Sequence, residues 1–170
     1  MTENAPTGTA VIGLGNPLMG DDGLGLVALD ELRATWSFDP SVEWIDGGTW
    51  GMNLLYLIED AERVLFLDAI NADKVPGELV RLDRDDLPRL LTMKVSPHQI
   101  DLREVLAVAE LRGKLPETIT AIGLQPAEVL MRHGLSDVVT AGVSSVVDNA
   151  RAILEAWGHR AEPVDAIVHA

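Results

Sequence analysis

The chain contains no cysteine, which excludes disulfides, thiolate metal sites and cysteine nucleophiles. It is also short of basic residues, with 13 Lys plus Arg against 27 Asp plus Glu and a formal net charge of −14. A surface of that sign repels nucleic acid and anionic lipid, so neither is an expected partner. No apolar run approaches the roughly 20 residues of a membrane span. The first residues, Met1-Thr2-Glu3-Asn4-Ala5-Pro6, lack the basic and apolar regions of a signal peptide, and a cytoplasmic protein is expected.

Several catalytic frames are missing too. There is no Gly-x-Ser-x-Gly elbow, and Ser144 and Ser145 fall inside a helical pattern. There is no His-Glu-x-x-His helix. The Gly13-x-Gly15 pair has Leu18 where a dinucleotide fingerprint needs its third glycine.

What remains is an alternation of strand and helix patterns over 170 residues, a length that suits one domain burying roughly 70% of its unfolded surface. Strands are expected at Thr9–Leu14, Val42–Ile45, Val64–Leu67, Gly77–Leu82 (at an edge) and Thr118–Gly123. Helices are expected from Leu24, with Leu24, Val27, Ala28 and Leu32 inward, over Met52–Ile58, from Ser96, and from Ser136 to Trp157. Gly25 marks close packing on the first strand, and Gly158 stops the last helix. Residues 1–8 and 163–170 read as loose termini. The fold class is therefore α/β, a three-layer sandwich with a mainly parallel five-stranded twisted sheet flanked by helices on both faces.

The organising stretch is the turn after the first strand, Gly13-Leu-Gly-Asn-Pro-Leu-Met-Gly-Asp21-Asp22-Gly23. Glycine-rich strand-to-helix turns usually offer bare amides to phosphate. Two adjacent carboxylates at that place suit a cation or a partner's donors instead. Asp46 and Asp68 likewise follow apolar strand patterns, so three strands deliver carboxylates to the rim where such sheets bind ligands. His98 follows Ser96 and Pro97 at a helix start, with Gln99 completing a capping box. The helix dipole there favours the neutral ring that ligates metals. Asp22, Asp68 and His98 together suit a divalent ion such as nickel, zinc or manganese. Taken singly, Asp22 serves equally well as a helix cap, Asp68 as an acceptor for strand-end amides, and His98 as a surface residue. His133, His159 and His169 have no partner motif and are expected at the surface.

Taken together, the Gly13–Gly23 turn, Asp46-Gly-Gly-Thr-Trp-Gly, Leu67-Asp-Ala-Ile and Ser96-Pro-His-Gln resemble the [NiFe]-hydrogenase maturation endopeptidases over roughly residues 9 to 157. The resemblance implies an enzyme that removes a C-terminal extension from the precursor of the hydrogenase large subunit after nickel insertion. Nickel already held by the substrate serves as the recognition signal, and a surrogate divalent ion can occupy the site. The family's nickel-contacting positions match Asp22 (Glu in some members), Asp68 and His98, and Asp46 matches a residue linked to substrate handling or catalysis. Asp22 and Asp46 are the candidates for activating water. A monomer is expected. Two other classes compete: a nickel-binding chaperone that docks the precursor without cutting it, and a free-metal-dependent hydrolase of small substrates.

Overall fold

The computed structural model describes residues 8–48, 51–86 and 97–164, the last with side chains from residue 102 onward. Its centre is a sheet of β1 (Thr9–Leu14), β3 (Glu43–Gly48), β4 (Arg63–Ala69), β5 (Leu79–Asp83) and β6 (Thr118–Leu124) in the order β3-β1-β4-β6-β5. All pairings are parallel except β5 with β6, which places an antiparallel strand at one edge. The inner strands β1, β4 and β6 are buried almost throughout, as both-face coverage requires.

Helices supply that coverage. α1 (Leu24–Thr35) and α4 (Asp137–Ala156) pack on the face carrying Val11, Leu65, Leu67 and Ile122. α2 (Leu55–Asp60) and α3 (Pro97–Leu111) cover the face carrying Ile12, Val64, Phe66 and Ile119. Each fully buried Leu, Ile or Phe contributes about 1.5–3 kcal/mol relative to exposure. Successive core residues of a strand go to opposite faces, Val64 and Phe66 to one and Leu65 and Leu67 to the other, as the two-residue pleat dictates.

Three local readings needed correction. In α1 the buried residues are Leu24, Gly25, Ala28, Leu29 and Leu32, and Val27 is exposed. The helix packs on α4 as well as on the sheet, which turns its buried arc toward Leu29 and leaves Val27 outside. Next, an antiparallel ribbon joins β2 (Trp36–Asp39) to β7 (Arg160–Pro163). Strands of four residues are too short to show a period in sequence. Pro163, expected to open a loose terminus, pairs there with Trp36, and the Arg151 guanidinium sits 4.5 Å from the Trp36 ring centroid. Finally, His159 is buried rather than exposed. Its Nδ1 lies 2.6 Å from the Pro40 carbonyl and its Nε2 2.8 Å from Thr9 Oγ1. A carbonyl only accepts, so Nδ1 carries the proton that bonds it.

The candidate active site

β1 and β4 are neighbours whose onward connections leave to opposite faces. β1 leads into α1 on one side, while the chain from β4 passes through β5 to α3 on the other. The crevice beyond the carboxyl ends of two such strands is where open α/β sheets bind ligands. Asp22 and Asp68 flank it.

The turn from β1 is drawn tight. Gly15 has φ +121°, and a Cβ there would lie 1.7 Å from the Asp22 carbonyl oxygen, so only glycine fits. The Gly15 amide donates to the Gly48 carbonyl at the end of β3. Gly25 brings α1 equally close: a Cβ would come within 2.1 Å of the Leu67 carbonyl oxygen and 2.2 Å of that of Leu14. The chain between these glycines forms a short 3-10 turn, Gly20–Gly23, that packs against β4.

The two adjacent carboxylates of that turn have different work. Asp21 is fully buried. Its carboxylate accepts the amides of Ala127, Glu128 and Ser136 and the Ser136 hydroxyl, at 2.7–2.9 Å. Burial alone would raise its pKa, but these bonds to the charged form outweigh it and hold the group below the ordinary aspartate value. Asp21 thus fastens the turn to the loop after β6. Ser136, expected to start α4, occupies its N-cap position but gives its hydroxyl to Asp21.

Asp22 is also buried, and its Oδ2 accepts the Asn16 amide at 3.0 Å. The N-cap of α1 is Gly23. The helix-cap role open to Asp22 in sequence therefore falls to its neighbour, and the carboxylate turns back over the loop.

Asp68 is the penultimate residue of β4 and is buried. Leu67 and Ala69 belong to the α1/α4 face and Phe66 and Ile70 to the other, so the pleat aims Asp68 to the α2/α3 side. α3 ends near the opposite edge of the sheet, since it leads by a short connection into the start of β6. Fifteen residues span roughly 22 Å, which returns the N-terminus of α3 to the rim on the side that Asp68 faces. His98 is the second residue of that helix, and its side chain lies outside the described residues, as do Ser96, Thr49 and Trp50.

Asp46 departs from expectation. β3 runs on to Gly48, so Asp46 lies within the strand, opposite Gly13, with its side chain exposed. Ile45 packs on the α2/α3 face and Trp44 on the other. Asp46 therefore emerges on the α1/α4 side, away from Asp68. A bulge follows at once: Gly13 pairs with Asp46 but Leu14 with Gly48. Among the described residues, no three His, Cys, Asp or Glu side chains form a metal-binding group.

Sequence reading missed Gln125, a buried amide directly after β6. Its Oε1 accepts the Ala72 and Lys74 amides at 2.7 and 3.2 Å, and its Nε2 donates to Asn71 Oδ1. It fixes the chain that leaves Asp68. The signal was available, since a polar residue after a buried apolar strand is the same pattern that marks Asp68.

Comparison with known proteins bears on the family and the fold. Residues 27–153 match the family model for HycI, hydrogenase maturation protease. The chain is 36% identical over 149 residues to the hydrogenase expression/formation protein HoxM of Cupriavidus necator, covering 86% of this chain and 74% of the relative. It is 33% identical over 158 residues to the hydrogenase 2 maturation protease of Escherichia coli, covering 92% and 96%.

The chain belongs to the hydrogenase maturation protease family.

Its fold superposes on the maturating endopeptidase HybD from E. coli with a TM-score of 0.88 at 31% identity, over 93% of this chain and 98% of that one. HybD from Thermococcus kodakarensis gives 0.66 at 28% identity, over 85% and 97%. This maturation protease is thus an enzyme, a peptide-bond hydrolase, and the chaperone reading is set aside. The family-model match begins after the acidic turn.

Proposed function

We propose that this protease removes the C-terminal extension of a [NiFe]-hydrogenase large-subunit precursor once nickel has been inserted, with the substrate's own nickel as the signal for cutting. The observation that supports this most strongly is the pair of buried acids, Asp22 and Asp68, flanking the β1/β4 crevice. Carboxylates delivered by two separate strand ends to one crevice offer hard oxygen donors to a substrate-borne cation. Asp22 and Asp68, with His98 from the first turn of α3, would hold nickel as two hard oxygens and one imidazole. With no cysteine in the chain, thiolate ligands would come from the precursor. Affinity for free metal is then modest, and the site is completed only by a loaded substrate.

Nickel bound there would polarise groups around the scissile bond. For the chain's own part, a carboxylate takes a proton from the attacking water and returns it to the leaving amine. Asp22 is favoured over Asp46 as that base, because Asp46 lies across the sheet from Asp68. Asp46 is assigned to holding the substrate beside the edge strand β3.

The test follows the intact mass of the large subunit, incubated with the purified protease, in nickel-loaded and nickel-free forms. Loss of a C-terminal peptide in the loaded sample alone is the expected result. Equal processing of both forms would remove nickel from the recognition step. Cleavage of short peptides dependent on added free metal would favour a metal-dependent hydrolase of small substrates.

A further inference from the structure

The loop after β6 exposes apolar side chains at the rim of the crevice. Met131 is 87% exposed, Leu130 49%, and Leu18 in the β1 turn 59%. These positions are joined by backbone: the Arg132 amide donates to the Leu18 carbonyl, the Gly20 amide to the Arg132 carbonyl, and Met19 bridges Arg132. Asp21, buried beneath, holds the same loop at Ala127, Glu128 and Ser136. The apolar knob and the turn carrying Asp22 are therefore one fastened unit. The charges beside it neutralise each other, with Arg132 Nη1 2.9 Å from Glu128 Oε2.

We infer that Leu18, Leu130 and Met131 form the surface on which the folded body of the large-subunit precursor seats, so that its C-terminal tail enters the crevice at Asp22. This rests on the substrate assigned above. Three observations choose that occupant. The knob is continuous with the β1 turn at the crevice, and the enzyme's family acts on a protein. A second copy of this chain would bring two bodies of net charge −14 together. An anionic bilayer is repelled for the same reason. Contiguous exposed apolar side chains of this kind mark interaction sites, and a few such anchors carry most of an interface's affinity.

The test compares wild type with Met131→Ser, Leu18→Ser and their double variant, using nickel-loaded precursor. Thermal melting checks the fold of each. Leu111→Ser serves as the control, a residue 89% exposed at the end of α3 on the far edge of the sheet. Each single variant should raise KM by about tenfold with kcat unchanged, while the control matches wild type. Unchanged KM in the double variant, with wild type cutting normally, would overturn the docking surface and leave the assigned activity standing. A sedimentation shift from dimer to monomer in the double variant would make the knob a self-association surface and overturn the inference likewise. Wild type that neither binds nor cuts the precursor would remove the substrate assignment and the docking surface together.

Discussion

The two edges of the central sheet handle buried charge in different ways. At the edge where the parallel strands begin, Glu59 at the end of α2 is buried and meets the Arg112 guanidinium through two bonds, 2.7 and 3.3 Å long. His159 closes the same edge between Pro40 and Thr9. At the edge where those strands finish, acids are gathered in tight turns, and Asp21 takes its donors from backbone amides and one hydroxyl. A side-chain ion pair closes a surface. A backbone cradle instead fixes a loop without drawing a cation onto the buried carboxylate. The starting edge closes with a side-chain ion pair and the finishing edge with backbone bonds.

The sharpest break between the edges concerns activity. Asp22→Asn keeps the shape of a side chain that accepts the Asn16 amide but removes its charge. Cleavage of nickel-loaded precursor should fall by at least about 100-fold, with an unchanged circular dichroism spectrum. Glu59→Ala, on the other edge, should cut at close to the wild-type rate.

Stability should order differently. Asp21→Asn places an amide among three backbone donors and should cost about 2–4 kcal/mol in urea unfolding at neutral pH. The pH dependence sharpens this. The folded-state pKa of Asp21 is depressed, so its charged form stabilises the fold above the unfolded value of about 3.9. That contribution is lost as pH falls through the folded value. The gap between wild type and Asp21→Asn should therefore narrow below about pH 4. A gap that held constant down to pH 2 would mean the cost is packing and not charge.

Glu59→Ala comes next, with an expected loss of about 1–3 kcal/mol, because it removes a buried carboxylate together with its two bonds to the Arg112 guanidinium. An equal loss of cleavage would erase the distinction between the edges.

How far these differences were legible in the sequence depended on the length of the pattern that carried them. β1 and β4 announce themselves as apolar runs, β6 by its apolar residues between turns, and α4 as a long stripe led by valines. The antiparallel edge strand β5 was marked by Pro76 and charges around it. The ribbon β2–β7 was hidden because its strands have four residues each. Asp68 was marked because a charge seldom follows a buried apolar strand without reason, and Asp22 because a glycine-rich strand-to-helix turn there ends in two carboxylates. Asp46 was misplaced because glycines look like a turn in sequence, whereas here Gly47 is a bulge inside β3. The division of labour between Asp21 and Asp22 needed the loop after β6, more than 100 residues away.

The opposed directions of Asp68 and Asp46 offer the most direct test of where the chemistry lies. Cleavage rates on nickel-loaded precursor should be measured side by side for wild type, Asp68→Asn and Asp46→Asn, each checked for folding. The account predicts background cleavage for Asp68→Asn and a reduced but measurable rate for Asp46→Asn. A folded Asp68→Asn enzyme cutting at the wild-type rate would contradict it.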